Sequence, residues 1–325
     1  SGELVERPVE IRTHPVTGRR VRIAFSRAAE REPGTQTLPP TAPDAEDSRN
    51  CPFCPPRLET QTPRLEPNLA PEGRLRQGRS VLFPNLFPYA AYSAVSLCGT
   101  QHYTEIGTAR PADYLESLLN CREYLRRVIH RDPEARFVAI VQNHLPAAGG
   151  SLVHPHLQVH ADRIPPNHHR VWEAHARNYR TVQNRLLLGE YLELEKAAQA
   201  RYIGVSGPWH WLAAFAPEGF FELWGICPGQ IRITDLSREA LTGLAQGIVN
   251  AQRFYRCLCR NSYNLGLLAV ERDDSPLELR AVLTVRANYA PWVRSDRTSF
   301  EVMLGDMTTF VAPESVARQA REFWA

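Results

Sequence analysis

Apolar and polar positions alternate in short runs along much of the chain, and these runs are separated by a few longer amphipathic stretches. This pattern predicts strands at residues 135–141, 154–160, 263–270 and 279–285, and helices at residues 111–130 and 236–260, the second capped by Thr234 and Asp235. Residues 5–27 predict a strand, a turn and a strand, and residues 312–325 a short amphipathic helix. Residues 167–200 read as helical and charged, with His168, His169 and His175 on the solvated side.

The order of these elements repeats once along the chain. Residues 81–97 and residues 209–227 each predict a pair of strands, and each pair is followed by a helix and two further strands, about 128 residues apart. Each copy predicts an antiparallel sheet with a helix packed on it, which is an α+β fold. We expect two tandem halves, residues 1–166 and residues 167–325.

A proline-rich segment lies between the first strands and the first repeat. Residues 33–71 hold ten of the 26 prolines, which excludes regular helix or central strand there. Cys51 and Cys54 lie inside it with the C-x₂-C spacing of half a tetrahedral zinc site, and His102 and His154 are the candidates for the other two ligands. The alternative is two structural thiols. A redox pair is disfavoured because two prolines follow instead of a helix.

Polar side chains are densest between residues 143 and 160. In a strand over residues 154–160, side chains alternate between faces, so His154, His156, Gln158 and His160 share one face. The preceding Gly149, Gly150 and Ser151 allow backbone N–H groups to approach a phosphate closely. The pattern favours an anion or metal site over a solvated strand face, and His160 is a candidate either for substrate contact or for a hydrogen bond within the sheet.

Composition excludes several classes of protein. The 325 residues are 43% hydrophobic and 22% charged, with 38 basic and 35 acidic side chains, so there is no basic nucleic-acid-binding arm. Lys196 is the only lysine, no P-loop motif is present, and no apolar run reaches the roughly 18 residues of a membrane span. Seven scattered cysteines favour a reducing cytoplasm over a disulfide scaffold. We read Ser1-Gly2 as an expression scar and expect no signal peptide.

The motifs together resemble galactose-1-phosphate uridylyltransferase-type proteins of the histidine-triad superfamily. The resemblance covers nearly the whole chain. It is carried by residues 15–21 and 26–28, CPFC at 51–54, Phe83-Pro84-Asn85, the loop from Asn143 to Ser151, HPHLQ at 154–158 and residues 233–236. The fold it implies is two tandem histidine-triad-like halves, each an antiparallel sheet with packed helices.

The resemblance also implies roles for individual residues. His156 is expected to be the nucleophile that becomes nucleotidylated, and Gln158 to bind the phosphoryl oxygens. Cys51, Cys54, His102 and His154 are expected to hold one structural Zn²⁺. The residues expected to contact substrate are Arg27, Phe53, Asn85, Asn143, Gly149, Gly150 and Ser151.

Departures from the family pattern carry expectations of their own. Leu268, Val285 and Ala287 stand where members with a second, iron-type site have histidines, so we expect no second metal. The second repeat has no HPH sequence and is expected to be catalytically silent while contributing to the substrate pocket. Residues 299–306 lack, in register, the lysine and glutamate that grip a hexose 1-phosphate, and Arg294 and Arg297 are candidate phosphate clamps in place of the lysine.

The function these features predict is transfer of a nucleoside monophosphate, UMP first, between a nucleotide sugar and a sugar 1-phosphate through a nucleotidyl-histidine, as in galactose metabolism. One alternative is a phosphorylase of the same superfamily acting on a nucleoside diphosphate sugar or a dinucleoside polyphosphate. The other is a catalytically inactive nucleotide-binding protein. Expected partners are small phosphorylated substrates and, as in many family members, a second copy of the chain, with no nucleic acid or membrane.

Overall fold

The chain folds around one large antiparallel sheet with helices on both faces. The computed structural model describes residues 8–25, 41–42, 44–289 and 295–325. Arg27 and Arg294, two of the predicted substrate contacts, lie outside these residues. The fold is α+β, as the sequence predicts. No helix among the described residues is both long and apolar enough to cross a membrane.

Thirteen strands are present in the described part of the chain. They are β1 (Val9–Thr13), β2 (Arg20–Ala24), β3 (Leu75–Gln77), β4 (Ser80–Pro84), β5 (Tyr92–Leu97), β6 (Phe137–His144), β7 (His156–Asp162), β8 (Tyr202–Ser206), β9 (Trp209–Ala213), β10 (Phe220–Cys227), β11 (Tyr263–Val270), β12 (Leu279–Val285) and β13 (Met307–Thr309). The last strand of the first repeat begins at His156, so His154 precedes the strand instead of lying in it.

The helices are α1 (Arg57–Gln61), α2 (Pro111–Arg131), α3 (Asn167–Gln183), α4 (Leu187–Ala198), α5 (Arg238–Cys257) and α6 (Pro313–Ala320). The predicted cap of α5 was wrong by two residues. Thr234 and Asp235 form a separate 3₁₀ turn, and the Ser237 hydroxyl caps the helix by accepting a hydrogen bond from the Ala240 N–H. Residues 300–304 form one π-helical turn.

Ten strands pair in the order β3-β4-β5-β7-β6-β11-β12-β10-β9-β8. The two repeats therefore do not form separate sheets. They join along β6 and β11, where eight residue pairs run from Phe137·Val270 to His144·Tyr263. A smaller sheet, β1-β2-β13, is tied to the main body by Arg12, which donates to the Glu314 carboxylate and to the Phe215 carbonyl.

Side chains from the two faces of the main sheet pack differently. One face, with α2, α5 and α6, forms the principal apolar core, which includes Leu118, Leu125 and Ile248. The opposite face is covered by α3 and α4 over the second repeat and by residues 53–58 over the first. One row of paired residues crosses this second face through both repeats, and its members are Val95, Gln158, Val141, Gly266, Val282 and Trp224. The candidate site lies on this face, because Gln158 and His156 are two residues apart in one strand.

Candidate functional site

Four side chains predicted as metal ligands converge at the edge of the first repeat. The ligand atoms of Cys51, Cys54, His102 and His154 all lie within 4.8 Å of one another. The Nδ1 atom of His154 is 3.8 Å from Cys51 Sγ and 3.5 Å from Cys54 Sγ, and His102 Nδ1 is 3.5 Å from Cys54 Sγ. The group is mostly buried, with only His102 partly accessible.

The spacing of these atoms fits a tetrahedral ion. With Zn–S and Zn–N bonds of about 2.3 and 2.05 Å, a tetrahedron places sulfur and nitrogen about 3.6 Å apart. The Nε2 atom of His154 is buried and has no hydrogen-bond partner among the described residues, so only its Nδ1 side accounts for the position of the ring. His102 has its Nε2 atom 3.0 Å from the carbonyl oxygen of Asp44, the kind of outer contact that orients a metal-bound imidazole. The donor set could hold a metal and suits zinc.

Local packing explains why the proline-rich segment reaches this position. Phe53 stands edge-on to Phe83, with ring centroids 5.2 Å apart, and Leu58 joins the same apolar cluster over β4 and β5. The buried Arg74 guanidinium donates to the carbonyl oxygens of Leu58, Thr62 and Pro63, which fixes the end of α1. This packing holds both cysteines against the sheet.

His156 is the first residue of β7 and is 5% exposed. Its Nδ1 atom lies 2.8 Å from the backbone carbonyl of His154. A carbonyl oxygen only accepts, so Nδ1 carries the hydrogen and the lone pair is on Nε2. Burial lowers the pKa of His156, while the bond to His154 partly opposes this shift. The Phe53 ring stands edge-on to the imidazole at 5.4 Å.

Gln158 and His160 follow on the same face of β7. No hydrogen-bond partner is present for the Gln158 amide among the described residues, which leaves the amide available to a ligand next to His156. The Nδ1 atom of His160 instead lies 3.0 Å from the Ser93 hydroxyl on β5. Of the two readings of His160, the structure favours a hydrogen bond within the sheet.

The loop from Leu145 to Ser151 lies between β6 and the segment that leads into His156. Leu145 and Gly149 both have positive φ, at 70° and 92°. At Gly150, a Cβ atom would lie 2.7 Å from the carbonyl oxygen of Asn143, a distance real Cβ atoms essentially never show. Only glycine fits at position 150 without moving the backbone of the preceding strand. Gly149 and Ser151 are exposed at the tip of this loop.

A chain of polar side chains from the second repeat holds this loop. Asn264 on β11 donates through Nδ2 to the Asn143 side chain at 2.7 Å and to the Ala148 carbonyl at 2.9 Å. The Asn264 side-chain oxygen accepts from Arg286 at 2.8 Å, and Asp296 accepts two hydrogen bonds from Arg286, at 2.7 and 2.8 Å. The sequence analysis identified Asn143 but missed the three residues that follow it in this chain of bonds, since no motif marks Asn264, Arg286 or Asp296.

The remaining predicted contacts lie around this centre. Asn85 follows β4, and its side chain accepts a hydrogen bond from the Phe87 N–H within the hairpin loop. Arg297 lines two adjoining cavities of about 460 and 220 Å³ on the same face of the sheet, and Asn264 lies in the wall between them. Asn143 lines the larger cavity, so this cavity opens beside the loop of the candidate site.

Comparison with known proteins identifies the fold. An uncharacterized protein from Archaeoglobus fulgidus is 29% identical over the whole of this chain and 95% of its own length. No protein-family model matches the chain. Three solved structures are similar: an ADP-glucose phosphorylase from Arabidopsis thaliana with bound ADP-glucose, a GalT-like protein from the same plant, and a uridylyltransferase.

These structural similarities extend over both chains. The match to the phosphorylase has a TM-score of 0.73 at 19% identity and spans 97% of this chain and 99% of the phosphorylase chain. The GalT-like protein has the same score and identity over 96% and 98%, and the uridylyltransferase has 0.71 at 17% identity over 97% and 98%. The chain thus has the fold of galactose-1-phosphate uridylyltransferase-type proteins, as the sequence motifs predict. Within that fold, the candidate site is a Cys₂His₂ group whose His154 lies two residues before a histidine with no Nε2 hydrogen bond to the described residues.

Proposed function

We propose that this chain is a nucleotidylyltransferase that carries a nucleoside monophosphate on His156 between two phosphate-bearing substrates. The observation that supports this most directly is the bond from the His156 ring to the His154 carbonyl, because it places the lone pair on Nε2. An imidazole so oriented is a nucleophile at neutral pH without a separate base to remove a proton. The shared fold of the ADP-glucose phosphorylase and the uridylyltransferase supports the same chemistry.

The proposed reaction has two displacements at one phosphorus. His156 Nε2 attacks the α-phosphorus of the nucleotide sugar, the N–P bond forms, and the P–O bond to the departing sugar 1-phosphate breaks. A phosphate oxygen of the acceptor then attacks the same phosphorus, and the N–P bond breaks to restore the neutral ring. Both leaving and entering oxygens belong to phosphates, so neither step requires a general acid.

The surrounding groups bind and orient the transferred phosphoryl group. The Gln158 amide can donate to its oxygens but cannot shuttle a proton to or from water, which favours a phosphate acceptor over hydrolysis. Gly149, Gly150 and Ser151, in the loop held by Asn143 and Asn264, remain proposed contacts to the same oxygens, with the Gly149 and Gly150 N–H groups donating to the Pro146 and Leu145 carbonyls before substrate binds. Arg27 and Arg294 remain proposed contacts to the substrate phosphates.

Cys51, Cys54, His102 and His154 would hold one zinc ion. A bound zinc there would supply structural cohesion, since all four positions are filled by protein ligands and none is left for substrate. His154 contributes both a ligand and the carbonyl that orients His156, so the proposed ligand set couples the metal group to the nucleophile.

Two substrate classes fit this proposal. The first is UMP transfer to a sugar 1-phosphate. The second is phosphorolysis of an ADP-sugar or dinucleoside polyphosphate. One observation favours it: Glu301, the glutamate of the segment that departs from the hexose-gripping pattern, accepts hydrogen bonds from the hydroxyls of Thr298 and Thr308. These bonds lower the pKa of Glu301 to about 2, against an opposing effect of burial, and leave its carboxylate occupied.

A donor panel read by intact-mass spectrometry tests the proposal. The purified chain is incubated with UDP-, ADP- and GDP-sugars and with diadenosine tetraphosphate, and a mass increase equal to one nucleoside monophosphate identifies the donor. We expect His156→Gln to abolish the increase and the matched variant His160→Gln to retain it. No increase with any donor, or an increase that persists in His156→Gln, would refute the assignment.

A further inference from the structure

The structure assigns an equivalent of His156 in the second repeat, and that residue is Arg280. The hairpins β4-β5 and β9-β10 have the same register. The Asn85 N–H donates to the Ser93 carbonyl in the first, and the Ala214 N–H donates to the Glu222 carbonyl in the second. Four residues after Ser93 is Leu97 on β5, and four residues after Glu222 is Ile226 on β10. Leu97 pairs with His156, and Ile226 pairs with Arg280.

The guanidinium of Arg280 contacts two indole rings. Its central carbon lies 3.6 Å from the ring centre of Trp172 on α3 and 4.1 Å from that of Trp224 on β10. Cation–π contacts of this kind stabilise a charged guanidinium without neutralising it. Burial lowers the Arg280 pKa to about 10, so the group remains a cation at neutral pH.

The Arg280 guanidinium forms no hydrogen bond or ion pair with any residue in the described part of the chain. The two carboxylates that influence it through space are engaged elsewhere. Glu222 accepts from the Trp224 indole N–H at 2.5 Å and from the Glu218 N–H at 2.7 Å. Glu218 pairs with Arg19 at 3.4 Å. A partly buried cation without an ion-pair or hydrogen-bond partner among the described residues gains stability from an anion that enters the space it lines.

Arg280 faces a space large enough for such a partner. It lines the cavity of about 460 Å³ described above, a volume within the usual range for small-molecule sites. Arg19, His168 and Arg297 line the same cavity, together with the carboxylates of Glu218, Glu222 and Glu278, which are already engaged within the chain. The two indole rings stand at 77° to each other with centroids 5.8 Å apart, so they bound the guanidinium on adjacent sides. The N–H groups on its other sides can donate two parallel hydrogen bonds to a planar or tetrahedral oxyanion in the cavity.

In the second repeat, the residue equivalent to His154 makes hydrogen bonds to the backbone. This residue is Glu278, two residues before Arg280, and the Glu278 carboxylate accepts from the N–H groups of Gly189 and Gly229 at 2.6 and 2.9 Å. A carboxylate thus ties together, by hydrogen bonds, the α4 segment and the loop after β10. The second repeat therefore lines a cavity on this face and has no histidine at the positions of His154 and His156.

We propose that this cavity is a second ligand site, in which Arg280 binds the phosphate or carboxylate group of a small molecule without reacting with it. A guanidinium binds an oxyanion firmly but has no free lone pair for attack on phosphorus. The anion is either a free effector or a remote anionic group of a substrate bound at His156. The inference rests on the repeat and the cavity, not on the proposed transfer reaction.

Chemical footprinting of the intact chain tests this site. Phenylglyoxal modifies accessible guanidinium groups, and peptide mass spectrometry reports the rate at each arginine with and without inorganic phosphate. We expect phosphate to slow modification of Arg280 by about tenfold, the effect of one charge-assisted bidentate contact, and to leave the exposed Arg180 unchanged. An Arg280 that is never modified, or is modified at the same rate with phosphate, would overturn the proposal.

Variants separate this site from the proposed reaction. His156→Gln is expected to keep the phosphate protection of Arg280, so protection and adduct formation can fail independently. Arg280→Gln is expected to reduce the rise in melting temperature caused by phosphate, whereas Arg180→Gln is not. If Arg280→Gln also raises the KM of a sugar-phosphate acceptor at unchanged adduct formation, the anion belongs to the substrate. An unchanged KM identifies a free effector.

Discussion

Replacing Gly150 by alanine tests whether the loop position controls the chemistry at His156. The added methyl group would lie 2.7 Å from the carbonyl oxygen of Asn143 and 3.1 Å from that of Leu145. Both atoms belong to the backbone, so no side-chain rotation relieves the contact, and the loop must move away from β6. The Gly150 N–H also bonds the Leu145 carbonyl at 3.1 Å, and this bond would lengthen.

The expected cost divides between stability and rate. Overpacking of one methyl group against backbone typically costs about 1–3 kcal/mol of unfolding free energy. A displacement near 1 Å of groups that orient a reacting phosphorus costs about 100-fold in rate. We therefore expect Gly150→Ala to remain folded but to form the nucleotidyl adduct about 100-fold more slowly, as measured by quenched-flow mass spectrometry beside urea unfolding.

The matched control is Gly266→Ala. Gly266 lies on β11 on the same face of the sheet, and a Cβ atom there meets nothing within 4 Å. It is expected to leave both stability and adduct rate close to those of the original chain. A Gly150→Ala variant with an unchanged adduct rate would show that the loop does not position the phosphate.

Three further outcomes are expected. Asn264→Ala should lower the unfolding free energy by about 2–4 kcal/mol and slow adduct formation. Asn264→Asp keeps the acceptor for Arg286 but places a carboxylate against the oxygens of Asn143 and Ala148, so it should not restore the rate. Elemental analysis should find about one zinc per chain, absent in Cys54→Ser and present in Cys257→Ser, and zinc that persists in Cys54→Ser would contradict the ligand set. Burial raises the pKa of Glu222 to about 7 from an ordinary 4.5. Between pH 4.5 and pH 7 the folded state therefore binds more protons than the unfolded state, and the free energy of unfolding falls as the pH rises through this range. Glu222→Gln should flatten this fall, with a difference of up to about 3 kcal/mol above pH 7 in urea titrations, and parallel curves for the two proteins would refute the assignment.

The parts of the site that depend on local spacing could be predicted from the sequence. The C-x₂-C spacing indicated half of the metal group, and the alternation of HPHLQ indicated an anion or metal face, because each depends on residues a few positions apart. The role of His156 as nucleophile followed from the family resemblance and stays a proposal. The alternation of residue types could not predict that β7 begins at His156, because the alternation already starts at His154. His154 does not pair in the sheet and instead contacts Cys51 and Cys54.

Contacts between distant segments were not predictable in the same way. Asn264 reaches Asn143 across a pairing of β6 and β11 that joins residues about 120 positions apart, and no local pattern encodes it. His169 was expected on a solvated helix face but is buried, because α3 lies on the sheet and the His169 ring bonds the Val138 carbonyl at 2.8 Å. The absence of a second metal and the division at residue 166 stay predictions.

The most direct test of the account is to locate the phosphorus on the imidazole of the trapped adduct. At Nε2, phosphorus lies three bonds from two ring protons, whereas at Nδ1 it lies three bonds from only one, and proton–phosphorus correlation NMR of the denatured adduct distinguishes these cases. The hydrogen bond from Nδ1 to the His154 carbonyl predicts two couplings. A single coupling, or phosphorus on any other side chain, would contradict the assignment of His156 Nε2 as the nucleophile.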